Sequence, residues 1–138
     1  MTMIKNNTYA KLFSFFLLII SGSAYSNTVC QLVDKPTMNE SKRYIQCLDT
    51  QLDKAKQEQG TWIQKRKYEL VQSEEATGNT QVLQLFMRSI KNNEKYIESA
   101  CQWRYILKLP NAKAAAISYK HCEIQLVNQF TESLKQPF

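Results

Sequence analysis

The side chains best suited to chemistry in this 138-residue chain are four cysteines and a single histidine: Cys30, Cys47, Cys101, Cys122 and His121. Structural zinc sites usually include cysteines two to four residues apart, and no two cysteines here are that close. A catalytic redox pair would form a Cys-x-x-Cys motif beside a βαβ pattern, and the sequence contains no such motif. We therefore expect no metal and no cofactor, and we expect the thiols to form structural disulfides.

Two carboxylates, Glu94 and Glu98, stand one helical turn apart, as a general acid and base might. They alternate with Lys91 and Lys95, which favours a solvent-exposed face laced with salt bridges. His121 directly precedes a cysteine that we expect to be oxidised, and no Ser-Asp arrangement accompanies it. We expect His121 at the surface or near a turn, and we expect that the protein is not an enzyme.

The first 26 residues have the pattern of a secretory signal peptide. Lys5 and Lys11 precede an apolar run of about nine residues, too short to cross a bilayer, and the small residues before Asn27 suit a signal peptidase. Cleavage after Ala24 and an uncleaved N-terminal anchor are the alternatives. The pattern predicts a signal peptide over 1–26, a domain over 27–138 with no transmembrane segment, and a periplasmic or secreted location. Cysteines in exported chains usually form disulfides.

The rest of the chain has helical periodicity with few Gly and Pro residues, which predicts an all-α fold. Thr37 and Glu40 form a capping-box pattern at the start of a first helix that continues toward Glu75, with Gly60 as a point where it could bend. Its apolar stripe comprises Ile45, Leu48, Leu52, Ala55 and Trp62. These features predict one long amphipathic helix.

Residues 76–79 contain Gly78 and predict a reversal, after which a second helix begins. Its predicted packing face comprises Leu83, Phe86, Ile90, Ile97, Cys101, Arg104 and Leu107. Pro110 ends that helix, and Asn111 opens a third. The predicted face of the third helix comprises Tyr119, Cys122, Leu126, Phe130 and Leu134. The predicted fold is a disulfide-braced helical hairpin or three-helix bundle after a cleaved signal peptide.

Helix geometry favours one pairing of the cysteines. Cys101 lies nine residues before Pro110 and Cys122 twelve after it, so a hairpin turning there brings them to the same level. Cys30 would then pair with Cys47 and fasten the N-terminal segment to the first helix. The nested alternative, Cys47 with Cys101, is offset by about 12 Å along straight helices, which exceeds disulfide reach unless the first helix breaks. Sequential pairing is preferred, and the nested pairing stays open.

The cysteine arrangement and the C-terminal stretch CEIQLVNQFTESL resemble the LprI-type lysozyme inhibitor domain, a bacterial family. Family members commonly end with Cys, a few residues, Leu, then Thr and Leu, and Cys122, Leu126, Thr131 and Leu134 follow that pattern. The chain departs from the family ahead of its third cysteine, where Asn93 and Ile97 replace the family's Trp and Arg. The resemblance implies a protein that binds a lysozyme and blocks it.

Charge bears on which partners are plausible. Without Lys5 and Lys11 the chain has 16 basic and 12 acidic residues, a net charge of +4. Host lysozymes are typically cationic, so docking requires a locally acidic contact surface. Acidic clusters are few, chiefly Glu74 with Glu75 and Glu94 with Glu98. A protein partner is the first expectation, with a lysozyme as the candidate, and nucleic acid is not expected in an exported protein.

One basic and aromatic segment suggests an alternative partner. Lys65, Arg66 and Lys67 are flanked by Trp62 and Tyr68. Such a cluster could bind an anionic envelope polymer or membrane surface through charge and stacking, although a solvated helix face explains it more simply. The alternative function is therefore an envelope adaptor that binds through this basic-aromatic patch.

Overall fold

The structure, a computed structural model, describes residues 29–137, which form three α-helices. They are α1 (Met38–Thr77), α2 (Gln81–Leu107) and α3 (Ala112–Lys135). No strand occurs between residues 29 and 137, so the all-α prediction is confirmed, and all three helices pack together as a bundle. The predicted signal peptide over 1–26 lies outside the described residues.

Helix α1 begins at the predicted capping box. The Thr37 backbone N–H donates to the Glu40 carboxylate at 2.7 Å, and the Glu40 backbone N–H donates to the Thr37 hydroxyl at 3.3 Å. The first of these bonds is the main reason that the pKa of Glu40 lies below its usual range. The helix then continues unbroken through Gly60 for 40 residues, about 60 Å at the α-helical rise. It is the longest element among the described residues.

The chain reverses between α1 and α2 within residues 76–79, and two of these residues, Gly78 and Asn79, make the turn possible. Gly78 adopts a left-handed conformation with φ of 72°, and its N–H donates to the Glu74 carbonyl. Glycine suits this position because it has no Cβ to clash in that conformation. Asn79 then accepts a hydrogen bond from the Gln81 N–H at 3.2 Å, so its side chain serves the first turn of α2.

Helix α3 lies between the other two helices and contacts both more extensively than they contact each other. Asp49 of α1 contacts Lys120 of α3, and Gln59, further along α1, contacts Val127, further along α3. The two helices therefore run parallel. Helix α2 runs antiparallel to α3 because only the short segment 108–111 connects them. Since α3 is 24 residues long against 40 for α1, the last turns of α1 extend beyond it, and there Val71 and Glu74 lie near Leu83 at the start of α2.

The core joins residues from all three helices: Leu52, Ala55, Ile97, Cys101, Cys122 and Val127. Most of the predicted stripe on α1 is buried or half-buried, in agreement with the sequence pattern. On α3 the buried set also includes Val127 and Thr131, which the single predicted face omitted. A helix with neighbours on two sides must bury two faces, and one stripe therefore describes it incompletely.

Two disulfides brace this bundle. Cys30 pairs with Cys47 and Cys101 pairs with Cys122, with Cα atoms 5.8 Å and 5.5 Å apart, within the usual disulfide range. This is the preferred sequential pairing, and the nested alternative does not form. Cys101 and Cys122 are buried at the α2–α3 contact, so that bridge fixes α2 to α3 near their connecting turn.

The prediction for one position on α2 is wrong. Leu107 was placed on the packing face, but it is 70% exposed. It lies six residues after Cys101, which corresponds to about 240° around a helix, and therefore points away from α3.

No helix within residues 29–137 is both long enough and apolar enough to span a membrane.

Candidate functional site

The predicted basic-aromatic patch is divided between two sides of α1. Successive residues of a helix are separated by about 100° around its axis, so five residues within one segment of seven cannot share one face. Trp62, Lys65 and Arg66 lie on one side and Tyr68 lies next to Lys65, three residues further on, whereas Lys67 lies on the side opposite Lys65. Lys67 and Tyr68 are both exposed. A flat partner could not contact all five side chains at once.

Arg66 does not belong to any exposed patch, because its side chain is buried at 7% exposure. Its Nε donates to the Leu134 carbonyl at 2.6 Å, and its Nη2 donates to the Gln136 carbonyl. Its Nη1 donates to the Glu69 carboxylate at 2.5 Å. The last carbonyls of a helix lack hydrogen-bond donors within that helix, and Arg66 provides donors for two carbonyls at the end of α3. Its role is to fasten the end of α3 to α1.

Trp62 and Lys65 also interact with each other. The Lys65 Nζ lies 4.5 Å from the centre of the Trp62 ring, and it lies 4.0 Å from a Glu69 carboxylate oxygen. Trp62 itself is half-buried. The charge of Lys65 is thus partly balanced within the molecule, although its side chain is exposed like those of Lys67 and Tyr68.

His121 and the two predicted surface carboxylates occupy different parts of the bundle. The His121 Nε2 lies 2.7 Å from the Tyr44 hydroxyl, so this hydrogen bond joins α3 to α1. Glu94 and Glu98 are exposed on α2. Within the described residues they form no ion pair with Lys91 or Lys95, so the predicted salt bridges are absent there. His121 and the two carboxylates do not form one catalytic arrangement.

Ion pairs connect α1 to α3 along their length. The Lys120 ammonium lies 3.0 Å from the Asp49 carboxylate and 3.8 Å from that of Glu123. The Asp49 hydrogen bond is the largest of the influences that raise the pKa of Lys120. Lys135 contacts Glu132 and Glu58, each at 2.7 Å, and these bonds raise its pKa as well. Several basic residues therefore serve the α1–α3 contact.

An open groove lies between α2 and α3. Its lining residues are Glu98, Gln102, Tyr105, Ala116, Tyr119 and Lys120. The Tyr105 and Tyr119 rings meet edge to face with centroids 6.3 Å apart, and burial is the main cause that raises the pKa of Tyr119.

Across residues 29–137, no group of three or more His, Cys, Asp or Glu side chains could hold a metal ion.

The outward side of α2 exposes large apolar side chains that the sequence pattern did not predict as a surface. Four of them form one line, which we call the outer row: Leu85, Tyr96, Trp103 and Leu107. Their spacings of eleven, seven and four residues are multiples of the helical repeat and keep them on one side. Each is 55% or more exposed. The spacing was visible in the sequence, but a stripe opposite the packing face is hard to distinguish from a second packing face.

No protein-family model, curated protein or solved structure matches this chain. The similarity to LprI-type domains therefore stays a prediction from the cysteines and the C-terminal stretch. The candidate functional surface rests on the geometry of the outer row and of the turn that follows α2.

Proposed function

We propose that this chain is an exported binding protein that acts through protein–protein contact, with no cofactor and no catalysis of its own. The observation that carries the proposal is the outer row, a line of exposed apolar side chains along a helix that a buried disulfide fixes to its neighbour. Soluble proteins rarely leave extended apolar surface exposed without a partner to cover it. Tyr and Trp are also enriched where binding energy concentrates.

Inhibition of a lysozyme or another cell-wall hydrolase is the activity that the LprI resemblance suggests. A cationic lysozyme would need carboxylates on the surface that it meets. Glu94 and Glu98 are exposed on α2 and form no ion pair among residues 29–137. They lie about 160° around α2 from Tyr96, and Glu98 lines the α2–α3 groove. A cationic partner that met these carboxylates would therefore dock beside that groove and not on the outer row. The overall positive charge of the chain opposes such docking, so the local arrangement must outweigh it.

The test is a turbidity assay with a panel of lysozymes and the oxidised protein. Slowed lysis that is lost on replacing Tyr96 by Ser would support inhibition through the outer row. Slowed lysis that is lost only on replacing Glu94 and Glu98 by Gln would assign the contact to the side of α2 that faces the groove. Lys67→Gln is the matched control, because Lys67 is exposed on a different helix. If no lysozyme is slowed and none binds in a direct assay, lysozyme inhibition is rejected.

The alternative role, an envelope adaptor, retains less of its proposed contact. The patch at Trp62, Lys65, Arg66, Lys67 and Tyr68 loses Arg66 to the end of α3 and is split between two sides of α1. A different part of the surface combines exposed apolar residues with unpaired cations, at the turn between α2 and α3. That region supports an envelope contact better than the predicted patch does.

A further inference from the structure

The end of the bundle at the α2–α3 turn exposes a cluster of apolar side chains. We call this region the hairpin end, and its apolar members are Trp103, Ile106, Leu107 and Leu109. Each of them is about half exposed or more. The first three are neighbours on the helix surface because they are three and four residues apart. Leu109 follows them in the turn, so the four form one projecting apolar surface.

The backbone of the hairpin end is held by local hydrogen bonds. The Leu109 N–H donates to the Ile106 carbonyl at 3.1 Å, and the Asn111 N–H donates to the Lys108 carbonyl at 3.1 Å. The Asn111 side chain then caps α3 by accepting from the Ala114 N–H at 3.0 Å. The Cys101–Cys122 disulfide fixes both helices behind the turn. The apolar side chains are therefore presented on a braced support.

Three cations lie at this end of the bundle, and carboxylates are missing from its sequence: Arg104 is beside Trp103, Lys108 follows α2, and Lys113 lies on the side of α3 that faces the start of α1. Residues 99–122 contain no Asp or Glu. Arg104, Lys108 and Lys113 form no ion pair with any carboxylate of residues 29–137, whereas Lys120 is paired with Asp49. The Arg104 guanidinium lies over the Trp103 ring at 5.2 Å, and one of its nitrogens lies 3.0 Å from the Cys122 sulfur. The hairpin end thus carries positive charge that its own protein does not balance.

The helix dipole explains only part of that charge. Lys108 caps the C-terminus of α2, where a cation is favourable. Lys113 lies in the first turn of α3, where the dipole disfavours a cation. Local helix energetics therefore do not account for Lys113, but an external anion would.

We propose that the hairpin end inserts its apolar side chains into the interfacial region of an anionic lipid bilayer. Trp is favoured at the level of the headgroups, and neighbouring aliphatic side chains can enter the boundary with the acyl chains. Lys and Arg around such a surface are attracted to anionic headgroups. The inference rests only on the proposed export of this chain. It assigns Trp103 and Leu107 to a bilayer, which leaves Leu85 and Tyr96 of the outer row for a protein partner.

Two other occupants fit the charge distribution less well. A second copy of this chain docking end to end would bring unpaired cations together, which disfavours association. Protein interfaces are depleted in Lys relative to the rest of the surface, whereas this region has two. An anionic bilayer satisfies the apolar and the cationic parts at once.

The test uses oxidised protein purified after export from a bacterial host. Its binding is measured by co-sedimentation with vesicles of mixed phosphatidylglycerol and phosphatidylethanolamine, and with vesicles of phosphatidylcholine alone. We expect binding to the anionic vesicles that weakens as salt increases, because salt screens the headgroup attraction. Trp62→Phe leaves Trp103 as the reporter among the described residues, and its emission should shift to the blue on binding.

Paired variants separate the two components of the contact. Lys108→Gln and Lys113→Gln should each weaken vesicle binding by about fivefold, since each removes one cation near the surface. Ile106→Gln and Leu107→Gln should abolish the Trp103 blue shift. Lys67→Gln is the matched charge control and Leu85→Gln the matched apolar control at the far end of α2, and neither should alter binding. Far-UV circular dichroism verifies that each variant is helical.

The outcomes distinguish this inference from the proposed function. Vesicle binding without a Trp103 shift, or an equal loss in Lys67→Gln and Lys113→Gln, would overturn the insertion of the hairpin end. Absence of vesicle binding alongside inhibition or binding of a lysozyme would overturn it as well, and would leave the protein-binding role intact. If neither vesicles nor any lysozyme bind, both the inference and the lysozyme activity fail.

Discussion

The two ends of α3 both lie among basic residues, but those residues are used differently. At its C-terminal end, Arg66 donates hydrogen bonds to the Leu134 and Gln136 carbonyls, and Lys135 contacts two carboxylates. At its N-terminal end, Lys108 and Lys113 form no ion pair within the described residues. The central residue of the densest basic run in the sequence, Arg66, therefore serves an internal contact, and more widely spaced cations remain for a partner. Local density of basic residues is a poor guide to a binding surface.

The two ends also differ in what accompanies the charge. Near Arg66, the Glu69 carboxylate balances the guanidinium, and the side chain is buried. Near Lys113, no carboxylate is present in residues 99–122 and several apolar side chains are exposed. The first arrangement is that of an interior contact, and the second is that of a surface whose partner is not part of the chain. The following variants test that contrast, from the largest expected effect to the smallest.

Removing the Cys101–Cys122 disulfide should lower the free energy of unfolding most, because this bridge holds α2 and α3 together behind the hairpin end. The Cys101→Ala, Cys122→Ala double variant should lose about 3 kcal/mol of unfolding free energy, mainly from loop closure in the unfolded state. Urea unfolding measures this loss. Cys30→Ala with Cys47→Ala should lose less, because the exposed segment before α1 can detach without disturbing the helices. Equal losses would show that the two bridges brace the fold alike.

Arg66→Met should come next and should break the internal end. It removes three donors from a buried position, two of which serve α3 carbonyls, and the expected loss is about 2–3 kcal/mol. Arg66→Lys should lose less stability than Arg66→Met but should still be less stable than the wild type, because one ammonium cannot reach all three acceptors. Lys67→Met is the adjacent control and should change stability by about 0.5 kcal/mol or less. A loss in Arg66→Met no larger than in Lys67→Met would contradict the internal role.

Several features of the fold could be predicted from the sequence. The helices, the capping box at Thr37 and the reversal at Gly78 were predictable because they depend on local periodicity and on single-residue conformations. The sequential disulfides were also predictable, since the position of Pro110 sets the register of the hairpin. Each of these features depends on residues close in sequence.

The use of Arg66 could not be predicted in the same way. Its partners at Leu134 and Gln136 are 68 and 70 residues away. The helical period does place Arg66 on the packing stripe, four residues after Trp62 and four before Leu70, but it does not indicate what a buried cation there would bind. The exposed outer row was hidden for a related reason. Position on a helix gives the angle between residues, but only the placement of α3 decides which angle is buried, as the error at Leu107 shows.

A smaller effect is expected at the hydrogen bond between Tyr44 and His121. Tyr44→Phe removes a hydroxyl that lies 2.7 Å from the imidazole and leaves the buried ring in place. The expected loss is about 1 kcal/mol, the usual net value of one such bond, and chemical denaturation measures it. Tyr68→Phe, on an exposed tyrosine, should have no measurable effect. If both variants behave alike, this bond does not contribute to the α1–α3 contact.

Lys120 provides a test by pH. Its pKa is raised, chiefly by the hydrogen bond to Asp49, so its contribution is complete below the ordinary lysine pKa of the unfolded chain. That contribution disappears as the pH rises through the folded-state pKa. Lys120→Gln should lose about 0.2–1 kcal/mol at neutral pH, because Asp49 is half exposed and solvent screens the pair. The difference from wild type should shrink above the ordinary lysine pKa, and a difference that grows there would contradict the assignment.

The smallest effects concern the two lysines of the hairpin end, and they should have opposite signs. Lys113→Gln removes a cation from the first turn of α3 and should stabilise the fold by about 0.3 kcal/mol at low salt, whereas Lys108→Gln removes one from the end of α2 and should destabilise it by a similar amount. Thermal unfolding at low and high salt measures both. Both substitutions should nevertheless weaken vesicle binding. A lysine whose removal stabilises the protein yet weakens its contact with a bilayer is retained at a cost to the fold, which supports a role in binding. If Lys113→Gln destabilises the protein, Lys113 contributes to the structure and the contrast between the two ends of α3 is lost.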